Sequence, residues 1–283
     1  MKRLIYGFAA CGLLIVLTGR AKAQYTFTTF DVPDAIETLP DGINDAGQIV
    51  GWFNAGESFH GFVLDLDGSY ITIDVPGAIQ TFAEGINNAG QIVGSYFVAG
   101  AYHGFFLDVD GTYTTIDVPG ATSPTPIGIN DAGQIVGLFN DAHGAAHGFL
   151  RDVDGSYTTL DPPGSTRTET YKINNSGQIV GDYTEGIVEY GFLRDVDGSY
   201  TAIDGPDARQ TLATGINDAG QIVGGYVDAG GAHGFLLDVD GSYTTLNAPG
   251  ATGTVATGIN ASAQIVGVYF DGFARRGFLA TPK

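Results

Sequence analysis

Four histidines open the same tripeptide, His-Gly-Phe, at His60, His103, His147 and His233. Neutral imidazoles at equivalent positions converge on an axial metal if the strand carrying them lines a channel, and diverge if another strand is innermost. Because the slot recurs with its surroundings, a hydrogen bond to the neighbouring strand is the expected role. Five Asp-x-Asp-Gly turns, starting at Asp65, Asp108, Asp152, Asp195 and Asp238, invite a calcium reading. Calcium takes about six to eight oxygens, and each turn runs on into Ser or Thr and then Tyr, leaving only two carboxylates and backbone. Simple hairpin turns are therefore expected, and no cofactor, whether calcium or an axial metal.

Aromatic side chains are the other candidates. An aromatic residue stands two places after each Ile-Val-Gly: Phe53, Tyr96, Phe139, Tyr183, Tyr226 and Tyr269, with Trp52, Phe97, Phe270 and Phe273 nearby. Rings at strand ends stack on sugars or clasp peptides, but a ring repeated in every unit also fills the same gap between units. The candidate ligand-binding set is Trp52, Tyr96, Phe97, Phe270 and Phe273, with the unrepeated Trp52 and Phe273 the best of them. The acidic residues Glu57, Asp141, Glu185 and Glu189 fall on the same connections and read as solvated charge.

What must position these residues is a repeat. Gly-Ile-Asn-Asp-Ala-Gly-Gln-Ile-Val-Gly, at 215–224, recurs with small edits at 42, 85, 128, 172 and 258, in steps of 43, 43, 44, 43 and 43 residues. Such a period is that of one blade or one solenoid unit. Four strand-like pieces fill each unit, as in Gly128 to Asn130, Gln134 to Phe139, His147 to Asp152 and Tyr157 to Asp161. Asn-Asp-Ala-Gly and Asp-Val-Asp-Gly are tight hairpin signals. The other two connections, exemplified by 140–146 and 118–127, read as longer and more variable. If alternate connections lie on opposite faces, both constant hairpins share one face and both variable connections the other, where binding residues are expected.

The ends of the array do not match, and the mismatch closes it. A lone fourth-type strand, Tyr25 to Asp31, precedes the first unit, while the last unit stops after a third-type strand, Gly277 to Ala280. The first fragment supplies what the last unit lacks, and ring closure removes exposed sheet edges. An all-β, six-bladed β-propeller of four-stranded antiparallel blades is expected over residues 24–283, with a β-solenoid as the rival.

With Gly-Ile-Asn-(Asp/Asn)-Ala-Gly-Gln-Ile-Val-Gly followed by His-Gly-Phe-Leu, the chain resembles the HAF extracellular repeat family of exported bacterial proteins. The family's His-Ala-Phe is His-Gly-Phe here, and Tyr190 and Arg276 replace the histidine in the fourth and sixth units. The resemblance covers all six units. It implies export and a repetitive β fold, and supplies no activity and no catalytic residues.

Export is also read from the first residues. Lys2 and Arg3 precede an apolar run from Leu4 to Leu17, and Ala21-Lys22-Ala23 forms a small-x-small cleavage site, so residues 1–23 are expected to be a signal peptide. Cys11 is the only cysteine and would leave with it. The whole chain carries a formal charge of −19, made more negative by loss of Lys2, Arg3, Arg20 and Lys22. That field disfavours nucleic acid and anionic membrane. No nucleophile elbow, metalloprotease helix or phosphate loop is present. The leading expectation is a secreted or periplasmic monomeric module that binds carbohydrate or an extracellular protein, and the reading leans away from an enzyme. A structural envelope or matrix protein is one alternative. A glycosidase or polysaccharide lyase using loop carboxylates is the other.

Overall fold

The computed structural model describes residues 24–283, so the signal peptide expected over 1–23 lies outside the described residues. Twenty-four strands, β1 to β24 in chain order, form six antiparallel blades. The first blade is β2 (Glu37–Ile43), β3 (Ile49–Asn54), β4 (Phe59–Leu64) and β5 (Tyr70–Ile73), from the axis outward. The sixth is β22 (Gly253–Ile259), β23 (Ile265–Phe270) and β24 (Arg275–Pro282), completed on its outer edge by β1 (Tyr25–Phe30). Ring closure thus follows the offset of the two ends. Single parallel bridges, Glu189 to Gln210 and Ala232 to Gly253, join blades four, five and six at their rims.

The Gly-Ile-Asn strand is innermost in every blade. β2 and its counterparts β6 (Gln80–Ile86), β10 (Thr122–Ile129), β14 (Arg167–Ile173), β18 (Gln210–Ile216) and β22 touch one another in succession around the axis. The histidine slot lies two strands further out, so its imidazoles diverge. His60 Nδ1 meets Asp74 Oδ1 at 2.8 Å and His147 Nδ1 meets Asp161 Oδ2 at 2.8 Å, each joining the third strand to the end of the fourth. Between the blades, Phe62, Phe105, Phe149, Phe192, Phe235 and Phe278 are essentially buried. Each contributes about 1.5–3 kcal/mol of burial, so the His-Gly-Phe signature stabilises the fold through its phenylalanine.

Both constant hairpins lie on one face. There the six Asn residues form a closed ring: the Nδ2 of Asn44 donates to the carbonyl of Asn87, and so on through Asn130, Asn174, Asn217 and Asn260 back to Asn44, at 3.1 to 3.3 Å. The same side chains close their own turns, as where Gln48 N donates to Asn44 Oδ1 at 2.9 Å. In the Asp-x-Asp-Gly turns the carboxylates accept from the turn itself, Asp65 from Leu66 N and Asp67 from Ser69 N.

The opposite face differs from expectation. The connections read as long are short: β7 (Ile92–Val98) and β8 (Ala101–Leu107) are joined by Ala99 and Gly100 alone, both at positive φ. The 118–127 stretch also contains the start of β10, at Thr122. Some of the residues that read as loop are therefore strand, as over 122–127. Pairing with the next strand satisfies their backbone, which sequence variability concealed. This face displays strand ends and turn tips rather than loops.

Candidate functional site

Every innermost strand carries a β-bulge at the same place. In blade one, Pro40 pairs with Gly51 and Gly42 with Val50, which leaves Asp41 as the extra residue. The equivalents are Glu84, Ile127, Tyr171, Thr214 and Thr257. The glycine of Gln-Ile-Val-Gly follows from this geometry, because a Cβ on Gly51 would land on the carbonyl of Leu39, and the same holds in the other blades. A bulge re-aims its side chain and frees its position from the ladder. Six bulges make a ring of six equivalent positions on the innermost strands, filled by different residue types.

Two of the six are tie points. Thr214 donates to the carbonyl of Ala256 at 2.6 Å and Thr257 to that of Pro40 at 2.7 Å, joining blade five to six and six to one. Two others are carboxylates, on the adjacent first and second blades. The glycine beside the bulge is Gly42, Gly85, Gly128, Gly215 and Gly258, but in blade four it is Lys172. That slot is where innermost strands approach closely. Lys172 reaches across the axis, and its Nζ donates to the carbonyls of Glu84 and Ile127, both at 2.8 Å.

Asp41, Glu84 and Lys172 are thus brought from three blades into one enclosed cluster. Protein surrounds all three groups, although each residue as a whole is only partly buried. Burial pushes the Asp41 carboxyl well above its usual range. The Glu84 charge adds to this, while Lys172 and the nearby Trp52 indole oppose it. Burial likewise raises Glu84 to about 7, against the pull of Lys172. Burial also lowers the Lys172 ammonium, against the pull of the two acids. Among the described residues, Asp41 Oδ2 is a buried oxygen with no hydrogen-bond partner.

Two surfaces flank Asp41. On one side, a groove of about 360 Å³ between blades six and one is lined by Asp41, Leu39, Val255, Val268, Phe270 and Arg275, among others. On the other, Trp52 packs edge-on against Phe59 at 5.5 Å and against Phe82 at 5.3 Å. Phe82 continues to Tyr102 at 6.4 Å, and Tyr102 to Phe97 at 5.0 Å. Phe97 and Tyr102 line a further groove of about 430 Å³ with His103 and Asp117.

Of the five residues singled out by sequence, Trp52 and Phe97 belong to this aromatic run and Phe270 to the groove beyond Asp41. Tyr96 instead stacks on His103 at 5.5 Å and belongs to the packing between blades. Phe273 is 95% exposed at the tip of the turn between β23 and β24, away from the cluster. Sequence reasoning missed Asp41, Glu84, Lys172, Phe59, Phe82 and Tyr102. The available signal was a break in the repeat: a lysine in a slot otherwise filled by glycine, and acids in a slot otherwise filled by Ile, Tyr or Thr.

A second polar cluster lies in blade four. Arg167 contacts Glu169, Asp182 and Glu189, the last at 2.9 Å. Tyr171 Oη lies 2.7 Å from Glu169 and 2.5 Å from Asp182. One hydroxyl hydrogen cannot serve two carboxylates, so one of the acids must be protonated. Burial, opposed by the Tyr171 hydroxyl and reinforced by Glu169 and Glu189, raises Asp182 to about 8 and identifies it as that acid.

No helix among the described residues is long and apolar enough to cross a membrane. No family model and no curated protein matches the chain. Solved structures match over nearly its whole length. A putative TolB from Agrobacterium tumefaciens aligns with a TM-score of 0.63 at 16% identity, covering 90% of this chain and 93% of that one. A gluconolactonase from Xanthomonas campestris aligns at 0.57 and 12%, covering 92% and 90%. A catalytically inactive virginiamycin B lyase from Staphylococcus aureus, with quinupristin, aligns at 0.52 and 15%, covering 92% and 100%. At such identities the likeness is one of fold. It nevertheless corrects the leaning away from an enzyme, because most of the matched structures are named as a lyase, a lactonase or an endopeptidase. Propeller sites are assembled across blades, so the missing short motifs never bore on catalysis. The chain has a six-bladed propeller fold, and what it shares with these enzymes and TolB is a likeness of fold.

Proposed function

We propose that the protein is an exported enzyme of the repeat type it resembles, cleaving a C–O bond in a carbohydrate by general acid–base chemistry at the channel mouth. The observation that carries this reading is Asp41: an enclosed carboxyl that burial pushes well above its usual range, with an unpartnered Oδ2, on a residue that lines a groove. A neutral acid in a dry site is what protonation of a leaving group needs near neutral pH. Asp41 gives its proton to the leaving oxygen as the C–O bond breaks and the bonding pair moves to that oxygen. Glu84, ionised above about 7, is the matching base. In hydrolysis it takes a proton from the water whose oxygen bonds to the carbon. In elimination it takes one from the adjacent carbon, whose electron pair becomes the new C=C bond. Either way the proton that Glu84 gains balances the one that Asp41 loses. Lys172 is a positioning residue, whose charge helps Glu84 to ionise between two acids that repel each other.

The test is turnover by residues 24–283 of p-nitrophenyl glycosides, aldonolactones and uronate polysaccharides, the last followed by the ultraviolet absorbance of the unsaturated product. Asp41→Asn is expected to lose roughly 100-fold or more of the rate at a melting temperature no lower than that of the wild type. The wild-type rate is expected to rise as Glu84 ionises through about 7 and to fall again where Asp41 loses its proton. Full activity in Asp41→Asn, or no turnover of any class, overturns the reading.

A further inference from the structure

We infer that the substrate is amphiphilic: a glycoside whose sugar lies on the aromatic run of blades one and two and whose apolar aglycone enters the groove between blades six and one. The inference rests on the catalytic reading of Asp41 and adds the substrate class. It comes from the unlike chemistry on either side of that residue.

On the sugar side, rings alternate with polar atoms. Tyr102 is 39% exposed, its hydroxyl faces Gln80 Oε1 at 3.4 Å, and His103 faces Asp117 at 3.4 Å beside it. Aromatic faces edged by hydrogen-bonding groups suit a pyranose, which presents C–H on its faces and hydroxyls at its rim. The run from Phe97 through Tyr102 and Phe82 ends on Trp52, whose indole adjoins Asp41. On the other side, Leu39, Val255, Val268 and Phe270 give the groove aliphatic and aromatic walls, with Arg275 the one basic side chain among its lining residues. Phe270 is 43% exposed although large and apolar, which leaves it open to contact. Leu39 and Trp52 are paired across β2 and β3, so the two surfaces meet two residues from Asp41. A substrate filling both places its polar-to-apolar junction, the glycosidic oxygen, beside that carboxyl.

Binding is measured without turnover, using methyl and octyl 1-thioglycosides of glucose, galactose, mannose and N-acetylglucosamine below micellar concentration. The octyl member of at least one pair is expected to bind roughly tenfold or more tightly than the methyl member. Phe270→Asp, at an exposed site, removes that advantage, and Val268→Asp does the same from the groove wall. Tyr102→Ala weakens both members of the pair about equally. Asp41→Asn retains binding, so failure of the catalytic reading and failure of this one appear in different measurements. The inference is overturned by equal affinity within every pair, or by an octyl preference that survives Phe270→Asp.

Discussion

Two rings of six residues at the innermost strands obey opposite rules. At the constant hairpins, six identical asparagines do the same work six times, and each is tied to the next. At the bulges, three residues earlier on each innermost strand, no such identity holds: two acids, an isoleucine, a tyrosine and two threonines occupy equivalent places. A ring of like bonds requires every member, because each carbonyl it serves is buried. A bulge residue has no partner to satisfy in the ladder. The constant side therefore bears on stability, and the bulge ring is where side-chain identity can change without dismantling a blade.

This contrast is tested first at the seam. Removing residues 24–32 strips β1 from the sixth blade and exposes the edge of β24, and the melting temperature should fall by roughly 10 °C or more. A truncated chain that melts like the intact one would show that closure contributes little. Next, Asn130→Ala and Asp41→Asn should separate the two rings in a urea titration. Asn130→Ala loses the bonds to Gln134 and to the Asn174 carbonyl in a buried setting, at a cost of about 2–3 kcal/mol. Asp41→Asn removes an enclosed ionisable group with an unsatisfied oxygen, and should be neutral or stabilising. Equal losses would erase the distinction.

The smallest effect is the dependence on pH. Glu84 and Asp182 are raised in the folded chain from 4.5 and 3.8 to about 7 and about 8. The fold therefore favours their protonated forms. The stability they give is full below the unfolded values and is lost as pH rises through the folded ones. The melting temperature should drop by a few degrees between about pH 5 and about pH 9, and Glu84→Gln should flatten part of that slope. A rising curve would show that these carboxyls are ionised in the native protein.

The fold was legible because it is written six times. The period, the hairpin residues and the displaced fourth-type strand at Tyr25 each constrain the same ring. The site was not, for a reason of geometry. Read as a regular strand, the stretch through Asp41 alternates sides and gives that residue no special place. The extra residue of a bulge shifts the alternation, and no composition rule marks it. Trp52 and Phe97 were visible as rings, yet their neighbours Phe82 and Tyr102 come from different strands, and Asp41, Glu84 and Lys172 from different blades. Only the order of the blades around the axis brings them together. The five candidates were chosen for a loop face, and the connections there proved to be two to six residues long.

The offset of the two ends has a consequence in time as well as in space. β1 is the first strand of the propeller to leave the ribosome and pairs with β24, the last. However early the middle blades form, the sixth sheet stays incomplete and its rim unpaired until β24 has been made. The architecture thus delays its own completion to the last strand of the propeller.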